Sequence, residues 1–133
     1  IVKGMGADSG TLHFADDSRT LHLAATVGPF PPPLIEIIRV IPWGKGMAGS
    51  CAERNEPVSL CNLVRDASGV VRPGAKTSGM EGAIVVPIRS VDGAVIGTLG
   101  VANAGERTFR SEEIAALESA ARGVRRFAPG RAV

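Results

Sequence analysis

The stretch from Gly82 to Ala102 constrains the fold most. Gly82–Arg89 (GAIVVPIR) and Ala94–Ala102 (AVIGTLGVA) read as two clear strands, joined by Ser90-Val91-Asp92-Gly93. Asp-Gly between two apolar runs is a strong hairpin signal, because its glycine takes the positive φ that tight turns require. A second hairpin is predicted near the start. Thr11-Leu12-His13-Phe14 and Leu21-His22-Leu23-Ala24 alternate with the period of a strand that has two unlike faces. Asp16-Asp17-Ser18-Arg19 is the turn between them. Pairing Ala15 with Thr20 puts Leu12, Phe14, Leu21 and Leu23 on one face, and sets His13 opposite His22 on the other. On an edge hairpin, two histidines without a nearby carboxylate or cysteine make a poor metal site and read as solvated positions.

Between the hairpins, glycine and proline punctuate short elements. The proline cluster 29–33 bends the chain and starts a short apolar helix at Leu34–Ile38, which cannot pass Pro42. Trp43-Gly44-Lys45-Gly46 is a tight loop, Met47–Arg54 a second short helix, and Pro57–Leu60 a short strand. Asn62–Gly79 is irregular, which in a small domain marks a functional or mobile segment. The final helix starts near Ser111, a capping residue, with Glu112 and Glu113 at its positive end and arginines at the other. Its buried stripe is Ile114, Leu117, Ala121 and Val124. The order β-β-α-α-β-loop-β-β-α predicts an α+β fold with a central antiparallel sheet and helices on its faces.

Composition removes several functions. The net charge is only +2, and the basic surplus sits in Arg122, Arg125, Arg126 and Arg131. With one Trp and four Phe, no basic-aromatic stripe for nucleic acid exists. No apolar run reaches membrane length, and Ile1–Gly10 is no signal peptide, so no membrane partner and a cytoplasmic location are expected. Cys51 and Cys61 make neither a disulfide framework nor a zinc site. No metal site and no catalytic constellation stand out.

In this order, Gly6–Leu12, Leu21–Gly28, Ile41–Gly49, Glu56–Val58, Val86–Ile88, Asp92–Leu99 and Thr108–Glu113 resemble a GAF domain, a small-molecule sensing module of signalling proteins. The resemblance assigns 1–127 to one domain and 128–133 to a basic tail. It also implies a helix before the first strand, which is expected to be missing, trimmed or supplied elsewhere. It implies a ligand pocket between one face of the sheet and the covering segments, Phe30–Met47 and Asn62–Gly79. Phe30, Leu34, Trp43, Met47, Cys51 and Met80 are the apolar lining candidates; Thr77, Ser78 and Asn103 are the polar ones.

Some GAF proteins reduce free methionine sulfoxide. Gly28-Pro29-Phe30 and Gly44-Lys45-Gly46 look like pieces of that enzyme. Its two cysteines, however, would fall at Ala48 and near Lys76, and its substrate acid at Ala83. Cys51 and Cys61 offer thiols at other positions. The cyclic-nucleotide motif of the family is matched at Asn103 and Phe109 but not at Ala104 or Ile114, and Glu113 only approximates its aspartate. Neither cysteine sits in a bilin-attachment context. Gly44–Gly49 formally matches GxGxxG, but Pro42 and Trp43 precede it and no βαβ unit follows, so it is no dinucleotide fingerprint. The expected function is therefore a ligand-binding sensor, of unspecified ligand and cofactor, coupled to a second copy of itself or a fused output domain. The alternatives are a thiol reductase and a dimerisation module without a ligand.

Overall fold

A computed structural model describes residues 3–28, 30, 32–60, 82–105 and 107–128 of the 133. The predicted central hairpin is its spine. Gly82–Arg89 (β5) and Val95–Asn103 (β6) pair antiparallel along their length. Gly93 turns between them at φ +90°, and its N–H donates to the Ser90 carbonyl at 3.0 Å. Ser9–Ala15 (β1) joins the free edge of β6, and Thr20–Val27 (β2) pairs with β1. Two three-residue strands close the sheet: Val40–Pro42 (β3) beside β2, and Val58–Leu60 (β4) beside β5. The six strands run in the order β3-β2-β1-β6-β5-β4, every neighbour antiparallel, which is the expected α+β sheet.

Side chains on alternate positions divide this sheet into two faces. On one, Phe14, Ile84, Val86, Ile88, Leu99 and Val101 pack under helix α3, Ser111–Val124. Leu117 and Ala121 of α3 are fully buried there, with Ile114 and Val124 at the margin. That is the stripe expected from the sequence, and each fully buried leucine or isoleucine contributes about 1.5–3 kcal/mol. Ala128, expected in the tail, is buried in the same core. The opposite face carries α1, Pro32–Ile38, and α2, Gly46–Arg54. No helix among the described residues is long and apolar enough to cross a membrane.

The first hairpin departs from the expected register. The Asp16 N–H donates to the Thr20 carbonyl at 2.9 Å, which leaves a loop of three residues rather than four. The Asp16 carboxylate organises this turn. It accepts from the Ser18 N–H and hydroxyl, from the Thr20 N–H, and from His22 Nε2 at 2.6 Å. His22 and Ser18 together hold its carboxyl well below the usual carboxylate range. Arg19 completes the loop at φ +58°, the left-handed residue that three-residue hairpin loops use. One residue fewer in the loop moves the partners of His13, Phe14 and Ala15 by one position and exchanges the faces, and a register shift between Leu12 and His13 carries Leu12 on to Ala25. His13 therefore pairs with Leu23, and His22 with Phe14, so the two histidines lie on opposite faces.

Nor is this hairpin an edge. β3, absent from the sequence reading, covers β2, and β6 flanks β1 on the other side. His13 is consequently buried rather than solvated, while His22 is exposed. Helix α3 starts at Ser111 as expected, but its capping differs. Arg110, not Ser111, takes the N-cap position, and its N–H donates to the Glu113 carboxylate at 3.0 Å.

Candidate functional site

The face under α1 and α2 holds two small apolar clusters. Leu21, Ile41 and Ala52 form one, with Ile38, Trp43 and Ala48 against it. Cys51, Val58 and Val85 form the other, with Met47 and Ala48. Ala48 touches both, so α2 bridges the sheet from β3 to β4. The turn before it is a packing device. Gly44 and Gly46 have φ of +86° and +65°, and Gly49 lies so close beneath Pro42 that a Cβ there would collide with the Pro42 carbonyl oxygen. The Gly44 N–H donates to the Gly49 carbonyl at 2.8 Å. These glycines bring α2 onto the sheet. Lys45 is exposed.

Register places one row of this face as Leu23, His13, Thr98 and Pro87, across β2, β1, β6 and β5. The two polar members are among the most deeply buried side chains, His13 at 2% exposure and Thr98 at 1%. His13 Nε2 lies 2.8 Å from the Ile38 carbonyl at the end of α1. A carbonyl only accepts, so Nε2 carries the proton and Nδ1 presents a bare lone pair. Burial pushes the imidazole pKa down, and the nearby His22 pushes the same way, against the Ile38 bond. Burial thus favours the neutral ring, with its proton on Nε2.

Neither His13 Nδ1 nor Thr98 Oγ1 has a hydrogen-bond partner among the described residues. Ser9 Oγ, further along the same face of β1, and Trp43 Nε1 are likewise buried and unpartnered. Buried polar atoms are nearly always paired, and leaving one unsatisfied costs about 1–3 kcal/mol. His13 and Thr98 are cross-strand neighbours, so their two unpartnered atoms lie together on this face.

The predicted lining residues distribute unevenly over the fold. Leu34 is buried on α1, and Phe30 is half-buried just before it. Met47 and Cys51 come together on α2, and Trp43 joins the neighbouring cluster with the Arg19 guanidinium 5.6 Å above its ring. Thr77, Ser78, Met80 and Cys61 lie outside the described residues. Asn103 does not join the group. It faces the α3 side, where its amide donates to the Gly6 carbonyl at 2.9 Å and its oxygen accepts from Arg107 at 2.8 Å. Phe109 and Glu113 belong to that same clasp, beneath and beside Arg107. The three positions compared with a cyclic-nucleotide motif thus tie the chain to itself.

Cys51 is fully buried, and burial pushes its thiol up to about 12 despite the opposing Arg89 charge. It is a protonated core residue at neutral pH. The described residues contain no group of three His, Cys, Asp or Glu side chains that could hold a metal ion. Local sequence does not bring His13 and Thr98 together: Thr98 sits inside an apolar run, and reading the first hairpin as an edge leaves His13 solvated. A polar residue within such a run was the available signal.

Comparison with known proteins agrees with this architecture. The GAF domain family model matches residues 1–126. The GAF domain of a phosphoenolpyruvate-protein phosphotransferase from Coxiella burnetii superposes with a TM-score of 0.76 at 24% identity, covering 92% of this chain and 72% of that one. The corresponding Acinetobacter domain gives 0.74 at 19% identity, covering 92% and 71%. Free methionine-R-sulfoxide reductase from Neisseria meningitidis, in complex with its substrate, gives 0.73 at 26% identity, covering 90% and 66%. The chain thus spans about two thirds to three quarters of the length of these structures. No curated protein sequence matches.

Proposed function

Because the chain belongs to the GAF family, we propose that it is a small-molecule-binding regulatory domain whose ligand sits on the α1/α2 face, against His13 and Thr98. The observation that carries this reading is the pair of buried, unpartnered polar atoms, His13 Nδ1 and Thr98 Oγ1, side by side on that face. A bound molecule would satisfy both and offset their desolvation. Occupancy is read out by a partner, either a second copy of the chain or an output domain fused to it, with α3 as the coupling element on the far side of the sheet. For that to work the ligand must prefer one arrangement of the domain over another.

Mass spectrometry of the purified protein under native and then denaturing conditions tests the proposal. Extra mass that is lost on denaturation supports it and weighs the ligand. A clean mass, together with no change in stability on exposure to a metabolite panel, favours a dimerisation module instead. The similarity to free methionine-R-sulfoxide reductases sustains a second reading, a thiol enzyme. Cys51 argues against it, since a thiol held near 12 supplies little thiolate. Turnover of methionine sulfoxide with a thiol reductant, abolished in Cys51→Ser or Cys61→Ser, would establish that reading, and absence of turnover with both diastereomers would end it.

A further inference from the structure

Resting on the proposal that this face binds a small molecule, we infer that the His13–Thr98 pair recognises the edge of a neutral amide or lactam, with the ligand N–H donating to His13 Nδ1 and its carbonyl accepting from the Thr98 hydroxyl. The Ile38 carbonyl decides the first half. It occupies the Nε2–H, so the only free nitrogen of the ring is an acceptor and its ligand partner has to be a donor. The Thr98 hydroxyl is the adjacent group on the neighbouring strand, held at cross-strand spacing of about 4.5–5.5 Å between backbones. Its rotor is uncommitted, so it donates to whatever acceptor stands beside that N–H.

A group carrying donor and acceptor side by side, as the cis-amide of a lactam or a heterocyclic base does, meets both. A carboxylate or phosphate does not. It would press oxygen lone pairs against the lone pair of Nδ1, and no described cation hydrogen-bonds to either side chain. Leu23 and Pro87 extend the row on each side, so the flanks of the bound group are apolar.

The test uses protein labelled with ¹⁵N-histidine, in which exposed His22 is the internal reference. The probes are 2-piperidone, its N-methyl derivative and propionate. The expected result is a saturable shift of the His13 Nδ1 resonance with 2-piperidone and no shift of His22. N-methyl-2-piperidone should bind about tenfold more weakly, the value of one lost hydrogen bond of about 1.4 kcal/mol, and propionate should leave Nδ1 unmoved. Thr98→Val should weaken 2-piperidone about three- to tenfold while leaving the melting temperature equal or higher, since it deletes an unsatisfied buried hydroxyl without changing shape.

Equal binding of both lactams would overturn the inference and leave the small-molecule reading of the face standing. Failure of 2-piperidone to move Nδ1 up to its solubility limit would also overturn it, and the native mass spectrum then decides separately whether the domain carries any ligand. A destabilised Thr98→Val variant would assign the hydroxyl a structural partner and overturn it as well. So would a spectrum placing the proton on Nδ1.

Discussion

Arg89 holds Asn55 by two hydrogen bonds: Nε donates to the side-chain oxygen at 2.6 Å, and Nη2 donates to the backbone carbonyl at 2.8 Å. Asn55 is the left-handed residue that ends α2, at φ +54°. From the same guanidinium, Nη1 lies 3.7 Å from Glu118 of α3. One side chain at the end of β5 therefore touches the helix over the candidate site and the helix on the opposite face.

Arg89→Met is expected to lower unfolding stability by about 1–3 kcal/mol, because it strips two hydrogen bonds from the cap of α2. Glu118→Gln should change it by less than about 0.5 kcal/mol, as expected of a long, partly exposed ion pair. Urea unfolding of both variants checks this. Equal losses would show that the ion pair, rather than the hold on Asn55, fastens the two helices.

His13 makes stability depend on pH. Its pKa in the fold is below the ordinary 6.5, so the unfolded chain binds this proton more readily. Stability is then fully present above pH 6.5 and falls as pH drops below it, by at most about 1.4 kcal/mol per unit. His13→Gln keeps an N–H for the Ile38 carbonyl and removes the titration. Urea unfolding between pH 7.5 and about 5.5 should show a slope in the parent that is flattened in the variant. Identical slopes would assign the titration to another group.

Cys51 should resist thiol reagents. In a Cys61→Ser background, an aromatic disulfide reagent at neutral pH is expected to label no thiol in the folded protein, and one after denaturation in urea. Burial and a thiol held up near 12 both oppose attack. Rapid labelling of the native protein would return Cys51 to the list of reactive groups.

Arg107 clamps the start of the domain to α3. It donates to the Asn103 side chain and the Met5 carbonyl, both at 2.8 Å, pairs with Glu113, and lies 4.6 Å above the Phe109 ring. The Arg110 N–H and the Arg107 guanidinium push the Glu113 carboxyl down to about 2. A depressed carboxyl stabilises above its ordinary value of 4.5, and that contribution is lost as pH falls from there through about 2. Arg107→Gln should lower Tm at pH 7 by about 5–10 °C, and the further drop on moving to about pH 3 should shrink. Thermal unfolding at the two pH values tests both parts.

Much of the frame was legible locally. Gly82–Arg89 and its partner strand declared a hairpin through apolar runs and an Asp-Gly turn, and that hairpin forms as expected. Ile114, Leu117, Ala121 and Val124 declared one face of α3 by spacing alone, and that face lies on the core. Ordered motifs along the chain pointed to the family that the comparison found. In each case the information is carried within a few residues, in turn chemistry and side-chain period.

The polar pair was not legible in this way. Whether His13 faces its neighbour across the hairpin or looks into the core depends on one residue of loop length, and the Asp16 carboxylate sets that length by gathering Ser18, Thr20 and His22 around itself. Whether β1 is an edge depends on β6, which pairs with it from far along the chain, and whether β2 is one depends on the three residues of β3. The meeting of His13 with Thr98 joins positions 85 residues apart in the chain. The sequence by itself determined the elements, their order and the apolar stripes, because these follow from local propensity and period. Only the tertiary structure decided which polar groups are enclosed together, because burial belongs to a strand's place in the sheet rather than to its residues.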